Sequence, residues 1–172
     1  MKATLAVINQ MQADCVIGRY AIGGAVGATF YLEPSATLDI DVFVSFKQGQ
    51  SSSLLTLAPI YEYLAARGCQ VKGEYIIIEG WQVQFLPSGD ALGEEALAQA
   101  IETQVDDVPT RVMTAEHLVA LALQLGRPKD FTRILQFIEA GVLDANKLDQ
   151  VLGRHGLLAK WEKFGDRFLR NL

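Results

Sequence analysis

The chain has 172 residues, half of them apolar, which is enough for one domain with a substantial core and short for two full-sized domains. Twenty acidic against fifteen basic residues give a net charge of -5, which excludes a protein that coats nucleic acid through overall positive charge. Cys15 and Cys69 have neither a CxxC spacing nor paired histidines nearby, so neither a zinc site nor a disulfide framework is expected, and both read as reduced core residues.

The charge is unevenly spread, with fourteen acids and six bases over residues 1–126 against six acids and nine bases over 127–172. An anionic partner is therefore expected to meet the C-terminal part. After Met1-Lys2 the apolar run soon meets Asn9-Gln10, too short and too polar for a secretory signal. No stretch approaches the ~20 apolar residues that span a bilayer. These features predict a cytoplasmic protein with no membrane partner.

In chain order, residues 3–13 form an expected helix whose Leu5, Ile8 and Met11 line one face. A strand over 17–22 leads into Gly23-Gly24, and a small-residue helix over 25–31 is stopped by Pro34. A second strand covers 38–46, followed by a polar loop over 47–53. Residues 54–67 read as a helix ended by Gly68, with Pro59 as an alternative start. Residues 75–78, the turn Glu79-Gly80 and residues 81–86 read as a β-hairpin, with Trp81, Val83 and Phe85 on one face and Gln82, Gln84 and Leu86 on the other.

Residues 94–100 are expected to be helical, and 101–105 and 108–112 to be strands flanking Asp106-Asp107. Beyond Thr114, a candidate N-cap, the pattern is helical to the end, with Gly126, Pro128, Gly141 and Asp144 as boundaries. The expected fold class is α/β (α+β): a small mixed sheet over residues 1–113 and a C-terminal helical subdomain over 114–172.

The stretch 20–46 carries the most chemistry. Asp39 and Asp41 lie two apart on a strand, so both project from one face, roughly 7 Å apart at ~3.3 Å per residue. Two like charges on one face repel and call for solvent or a cation. Magnesium, held by one or two carboxylates plus phosphate oxygens, suits the pair; a half-exposed strand with a polar outer face is the bland alternative. Glycines between a strand and a helix let backbone N–H groups turn toward an anion, so Gly23-Gly24 is a candidate phosphate cradle, or simply a tight turn. The dinucleotide pattern GxGxxG fits less well, because its first glycine position holds Ile22. His117 and His155 have no evident partner, and Trp81 and Trp161 sit on apolar faces. Lys160, Lys163, Arg167 and Arg170 read as a solvated basic face.

An apolar residue, Gly-Gly, a short helix and then Asp39-Ile40-Asp41 inside an apolar strand resemble the signature of the DNA polymerase β-like nucleotidyltransferase superfamily. The continuation, with Arg127-Pro128-Lys129-Asp130 opening a helix, resembles the bacterial branch that includes AbiEii-type toxin nucleotidyltransferases. The resemblance implies Mg2+-dependent transfer of a nucleoside monophosphate from a nucleoside triphosphate to a hydroxyl of RNA (tRNA among the candidates), of a cognate protein or of a small molecule. It implies that Gly23 and Gly24 contact phosphates, that Asp39 and Asp41 hold the metal, and that Lys129 meets phosphate. It places a third catalytic carboxylate at Gln84, where this chain has an amide that cannot accept a proton; Glu79 substitutes only if the strand register differs. A catalytically degenerate domain that binds nucleotide or a partner without turnover is the alternative. Relatives also tend to carry further acids one turn after Lys129, where this chain has Arg133.

Overall fold

Alternation along residues 39–44 sets the architecture. Ile40, Val42 and Val44 are fully buried, whereas Asp39, Asp41 and Phe43 are half-buried on the opposite face. The computed structural model describes residues 1–33, 37, 39–45 and 57–170. Leu38 and Phe46, Pro34, the loop 47–53 and the first turn of the helix expected from 54 lie outside the described residues.

In chain order the elements are α1 (Lys2–Ala13), β1 (Tyr20–Ile22), α2 (Gly24–Ala28), β2 (Asp39–Val44), α3 (Ala58–Ala65), β3 (Gln70–Lys72), β4 (Tyr75–Ile78) and β5 (Trp81–Pro87). They continue as α4 (Ala91–Ala98), β6 (Ile101–Val105), β7 (Val108–Val112), α5 (Ala115–Leu125), α6 (Pro128–Glu139), α7 (Ala145–Arg154) and α8 (Leu158–Phe168). The strands form one mixed sheet in the order β3-β4-β5-β2-β1-β7-β6. β2 runs parallel to β5 and antiparallel to β1, while β1 runs parallel to β7. This is the mixed α+β architecture expected from the sequence.

Each face of the sheet has its own core. Leu5, Ile8 and Met11 of α1 and Ile60 and Leu64 of α3 pack on Ile40, Val42, Val44, Val83 and Phe85. On the other face Ala21, Ala28 and Met113 join α4 to α8 through Leu123, Ile134, Phe137 and Leu152. This second core draws on residues from both sides of position 113, so the C-terminal helices and the sheet share one apolar interior.

Several expectations are corrected. The strand expected from 17 begins at Tyr20, because Gly18 and Arg19 spend their N–H groups on the carbonyl and hydroxyl of Ser45. The helix expected over 25–31 is only Gly24–Ala28, and Thr29 to Leu32 close it with a tighter turn. Helix α3 starts at Ala58 with Pro59 in its first turn and ends at Ala65, so Gly68, with φ +79°, shapes the following turn instead of capping it. Helix α4 begins at Ala91, three residues early, because the Asp90 carboxylate accepts the Gly93 N–H at 2.7 Å and caps it. Strand β3, all of it exposed, carried no hydrophobic alternation to reveal it. Cys15 is an exposed turn residue with φ +61°, not a core residue, and Cys69 is half-buried.

The two histidines do have partners. His117 Nε2 lies 3.3 Å and His155 Nε2 2.7 Å from the Glu95 carboxylate, which Arg154 Nε also reaches at 3.2 Å. Thr114 Oγ1 accepts the His117 backbone N–H as the N-cap of α5, and lies 2.7 Å from His117 Nδ1. Buried His117 is held below its ordinary pKa by desolvation, against the pull of Glu95. The arrangement ties α4, α5 and α7 together and holds the Glu95 carboxyl down at about 2.

Candidate functional site

Parallel pairing of β2 with β5 puts Asp39 beside Gln82 and Asp41 beside Gln84, all on the face away from the α1–α3 core. Asp39 receives the Thr37 hydroxyl at 3.0 Å. Asp41 packs against Gly24. Burial raises its pKa and so does Asp39, while Arg133, Lys129 and Arg127 pull it the other way.

The glycine pair is explained by what packs on it. Gly24 has φ +56°, a backbone conformation that favours glycine, and a Cβ there would stand 1.8 Å from Asp41 Oδ2. A Cβ on Gly23 would stand 2.6 Å from Phe43 Cε2. The two glycines thus admit the two side chains that β2 projects toward them. Gly23 donates its N–H to the Asp41 carbonyl at 2.9 Å, so that donor is already engaged. Gly24 opens α2 and lines the cavity described next.

The carboxylates face a cavity of about 750 Å³ between the sheet and helices α5 and α6. It brings together Gly24, Asp39, Asp41, Gln84 and Lys129, and leaves Gly23 behind Phe43. Its far wall carries three bases from the start of α6: Arg127, Lys129 and Arg133. Pro128 occupies the first turn of that helix and Asp130 caps it, accepting the Arg127 backbone N–H at 3.1 Å. Asp130, 1% exposed, also holds Arg127 Nε at 2.7 Å and Nη2 at 3.1 Å. Lys129 and Arg133 form no ion pair among the described residues. Lysine in the first turn opposes the helix dipole, a cost of about 0.3–1 kcal/mol that an anion in the cavity would offset.

Sequence reasoning missed Glu74 and Arg127, and took Arg133 only as a departure from its relatives. Glu74 stands in the β3–β4 turn, lines the cavity, and accepts the Gln84 Nε2–H at 3.2 Å. Exposed β3 gave no signal for that turn, although Gly73, with φ +66°, marks it. Glu79 sits in the β4–β5 turn with φ +50° and is not among the cavity residues. Chemically the cavity sets carboxylates against cations, a combination suited to a polyanion with a bound metal ion. Among the described residues no group of three or more His, Cys, Asp or Glu side chains is placed to hold a metal. Among the described residues no helix is long and apolar enough to cross a membrane.

No protein-family model matches the chain, and no curated protein does. Its fold is similar to that of an antigenic nucleotidyltransferase-like protein from Paracoccidioides brasiliensis, at 12% identity and a TM-score of 0.58 over 89% of this chain and 85% of that one. It is also similar to the antibiotic-resistance factor ANT(2'')-Ia in solution, at 15% identity and a TM-score of 0.53 over 97% of this chain and 98% of that one. A crystal structure of ANT(2'')-Ia with adenylyl-2''-tobramycin matches at 15% and 0.53, over 91% of this chain and 98% of that one. At these identities the likeness is one of fold: the chain has a nucleotidyltransferase-like fold.

Proposed function

We propose that the protein transfers a nucleoside monophosphate from a nucleoside triphosphate to a hydroxyl acceptor, with Mg2+ held by Asp39 and Asp41. One observation carries the reading: two carboxylates on one strand face Arg127, Lys129 and Arg133 across a single cavity. Asp41 in particular is enclosed beside a like charge, which a divalent cation would relieve. When bound, the metal supplies charge neutralisation at the phosphates and polarises the phosphorus–oxygen bonds.

The residues divide the remaining work. Lys129 and Arg133, free of ion pairs among the described residues, would bind the triphosphate oxygens, and Arg127 would add charge from its fixed pair with Asp130. Gly24 would bring backbone close to a phosphate while leaving room for Asp41. Gly23 would act by admitting Phe43, since its N–H is engaged. The acceptor oxygen attacks the α-phosphorus, the bond to the pyrophosphate leaving group breaks, and the hydroxyl proton must go to a base.

Gln84 cannot take that proton, which favours the degenerate reading in which nucleotide or a partner binds without turnover. Glu74 argues for turnover. It is a carboxylate held over the same cavity by the amide that occupies the expected position, and it would receive the proton. The acceptor is an RNA such as tRNA, a cognate protein or a small molecule, and membership of the AbiEii-type, toxin–antitoxin-like branch rests on Lys129-Asp130 at the start of α6.

Thermal unfolding with Mg2+ and a panel of nucleoside triphosphates tests the reading. Metal-dependent stabilisation is expected, and Asp39→Ala with Asp41→Ala should abolish it. No shift with any triphosphate sinks the nucleotide claim. Binding followed by no label transfer into any component of a cell extract supports the degenerate alternative.

A further inference from the structure

We propose that the end of the cavity beyond Phe43 and Leu86 selects a nucleobase bearing an exocyclic amino group, read by an acceptor edge made of Gln124 and Asp90. The inference rests on the nucleotide reading above and names which nucleotides the site takes.

The strands give the direction. Asp41 stands beside Gln84, and Val44 beside Pro87. The turn Ser88-Gly89 into Asp90 therefore begins four residues past the Asp41 position, about 13 Å along the strands. The helical wall of the cavity is aliphatic, formed by Leu118, Leu121, Ala122 and Leu125 of α5, and Gln124 on the same helix reaches Asp90. Leu125 is 59% exposed, a large apolar side chain left open beside a polar cavity. A flat, weakly polar ring covers such a wall, whereas phosphates and metal belong with the charged side chains.

The polar groups at this end have fixed roles. Asp90 Oδ1 accepts the Gly93 N–H at 2.7 Å, and Oδ2 accepts the Gln124 Nε2–H at 2.9 Å. A carboxylate only accepts, so it orients the amide: the NH₂ of Gln124 faces Asp90 and the carbonyl Oε1 faces away. Gln124 Oε1 has no hydrogen bond among the described residues. What the pair offers a ligand is therefore oxygen acceptors with open lone pairs. An exocyclic amine, as in adenine, guanine or cytosine, donates to them. The O4 carbonyl of uracil or thymine would set acceptor against acceptor and lose its hydration without replacement.

Titration calorimetry of the full chain with Mg2+ separates the outcomes, using ATP, GTP, CTP, UTP, purine riboside triphosphate (ATP without its 6-amino group) and inorganic tripolyphosphate. ATP is expected to bind about 5- to 10-fold more tightly than purine riboside triphosphate, and UTP most weakly of the four common nucleotides. Gln124→Met, at an exposed position, removes the amide oxygen and should reduce the preference for ATP over purine riboside triphosphate by at least about twofold while leaving tripolyphosphate unchanged. Asp90→Asn keeps a helix cap but frees the Gln124 amide to turn, and should relax the same preference. Equal binding of all nucleotides by the unmodified protein overturns the inference, as does discrimination that is unchanged in Gln124→Met. Failure of tripolyphosphate and every nucleotide to bind removes the nucleotide reading itself, and the base selectivity with it.

Discussion

Exchange of one carboxylate between two neighbouring positions tests whether the site turns over. Gln84 Nε2 donates to Glu74 Oε2 at 3.2 Å, and Gln84 stands beside Asp41 across the β2–β5 pairing. Glu74→Gln removes the proton acceptor while keeping shape, and should lower transfer of an α-phosphate-labelled nucleotide by about 10²–10⁴-fold, the usual contribution of a general base. Triphosphate binding should hardly change, because the phosphate-binding cations are untouched. Gln84→Glu alone places a third charge one strand spacing, ~5 Å, from Asp41; at an effective dielectric of about 20 the repulsion is about 3 kcal/mol without a cation. It also sets that charge against Glu74, so this single variant should be less stable than the parent and more strongly stabilised by Mg2+. The double variant Glu74→Gln/Gln84→Glu keeps the hydrogen bond with donor and acceptor exchanged, and returns a carboxylate to the cavity. It should recover at least tenfold of the transfer lost in Glu74→Gln. Transfer by Glu74→Gln within twofold of the parent, or a double variant no better than that single one, refutes the assignment of Glu74 as base.

Gly24→Ala should cost about 1–2 kcal/mol from the left-handed backbone alone, and its Cβ would displace the Asp41 carboxylate, so both the melting temperature and the Mg2+–nucleotide stabilisation should fall; unchanged stabilisation by nucleotide would show that Asp41 needs no such fit. Asp41→Asn should raise the melting temperature of the unliganded protein, by about 2–4 °C for each kcal/mol relieved, while abolishing metal-dependent stabilisation. The sign follows from the raised pKa of Asp41: the folded state favours the neutral acid, so the charge penalty is present above the folded pKa and vanishes below the unfolded one. Glu95→Gln should lower stability at pH 7 by roughly 1–2 kcal/mol, the shift to about 2 being discounted for the half-exposed Arg154. Because the folded pKa of Glu95 is depressed, its contribution is complete above about 4.5 and is lost as pH falls toward 2; His117, also depressed, loses stability as pH falls below about 6.5, where the unfolded chain binds its proton first. Urea denaturation from pH 7 to pH 3 should therefore show a steady decline that is flatter below pH 4.5 in Glu95→Gln, and parallel curves would refute the role of the carboxylate.

Local chemistry made most of the fold legible. The alternation that buries Ile40, Val42 and Val44, the Glu79-Gly80 hairpin, and the stops at Thr114, Gly126, Pro128 and Asp144 each act within a few residues, and each appears where the pattern predicts. Two boundaries failed for different reasons. The start of β1 depends on bonds to Ser45 from the neighbouring strand, whereas α4 starts at a local cap, Asp90, which the sequence pattern assigns to the preceding turn. The carboxylate pair and Lys129 were legible because period-two spacing and a helix start are local rules. Glu74 was not, because its place beside Gln84 arises from strand pairing ten positions away in the chain.

The partners of Glu95 make the same point on a larger scale, and they bear on the site. His117, Arg154 and His155 lie 22, 59 and 60 positions from it, so no spacing rule could have joined them. Each comes from a helix with its own legible cap, and the convergence exists only because α4, α5 and α7 share one apolar core on the face of the sheet that carries Asp39 and Asp41. Helix α5 supplies the aliphatic wall of the cavity, and its end leads through Gly126 into the cations of α6. Loosening the Glu95 cluster should therefore shift Arg127, Lys129 and Arg133 relative to the carboxylates, since the sheet and helix walls of the cavity are joined through α4 and α5. Glu95→Gln, far from any phosphate, is expected to weaken Mg2+–nucleotide stabilisation by more than its own cost to folding accounts for. Nucleotide stabilisation equal to that of the parent, after correction for the lower melting temperature, would show that the cations are held by the Asp130 cap alone.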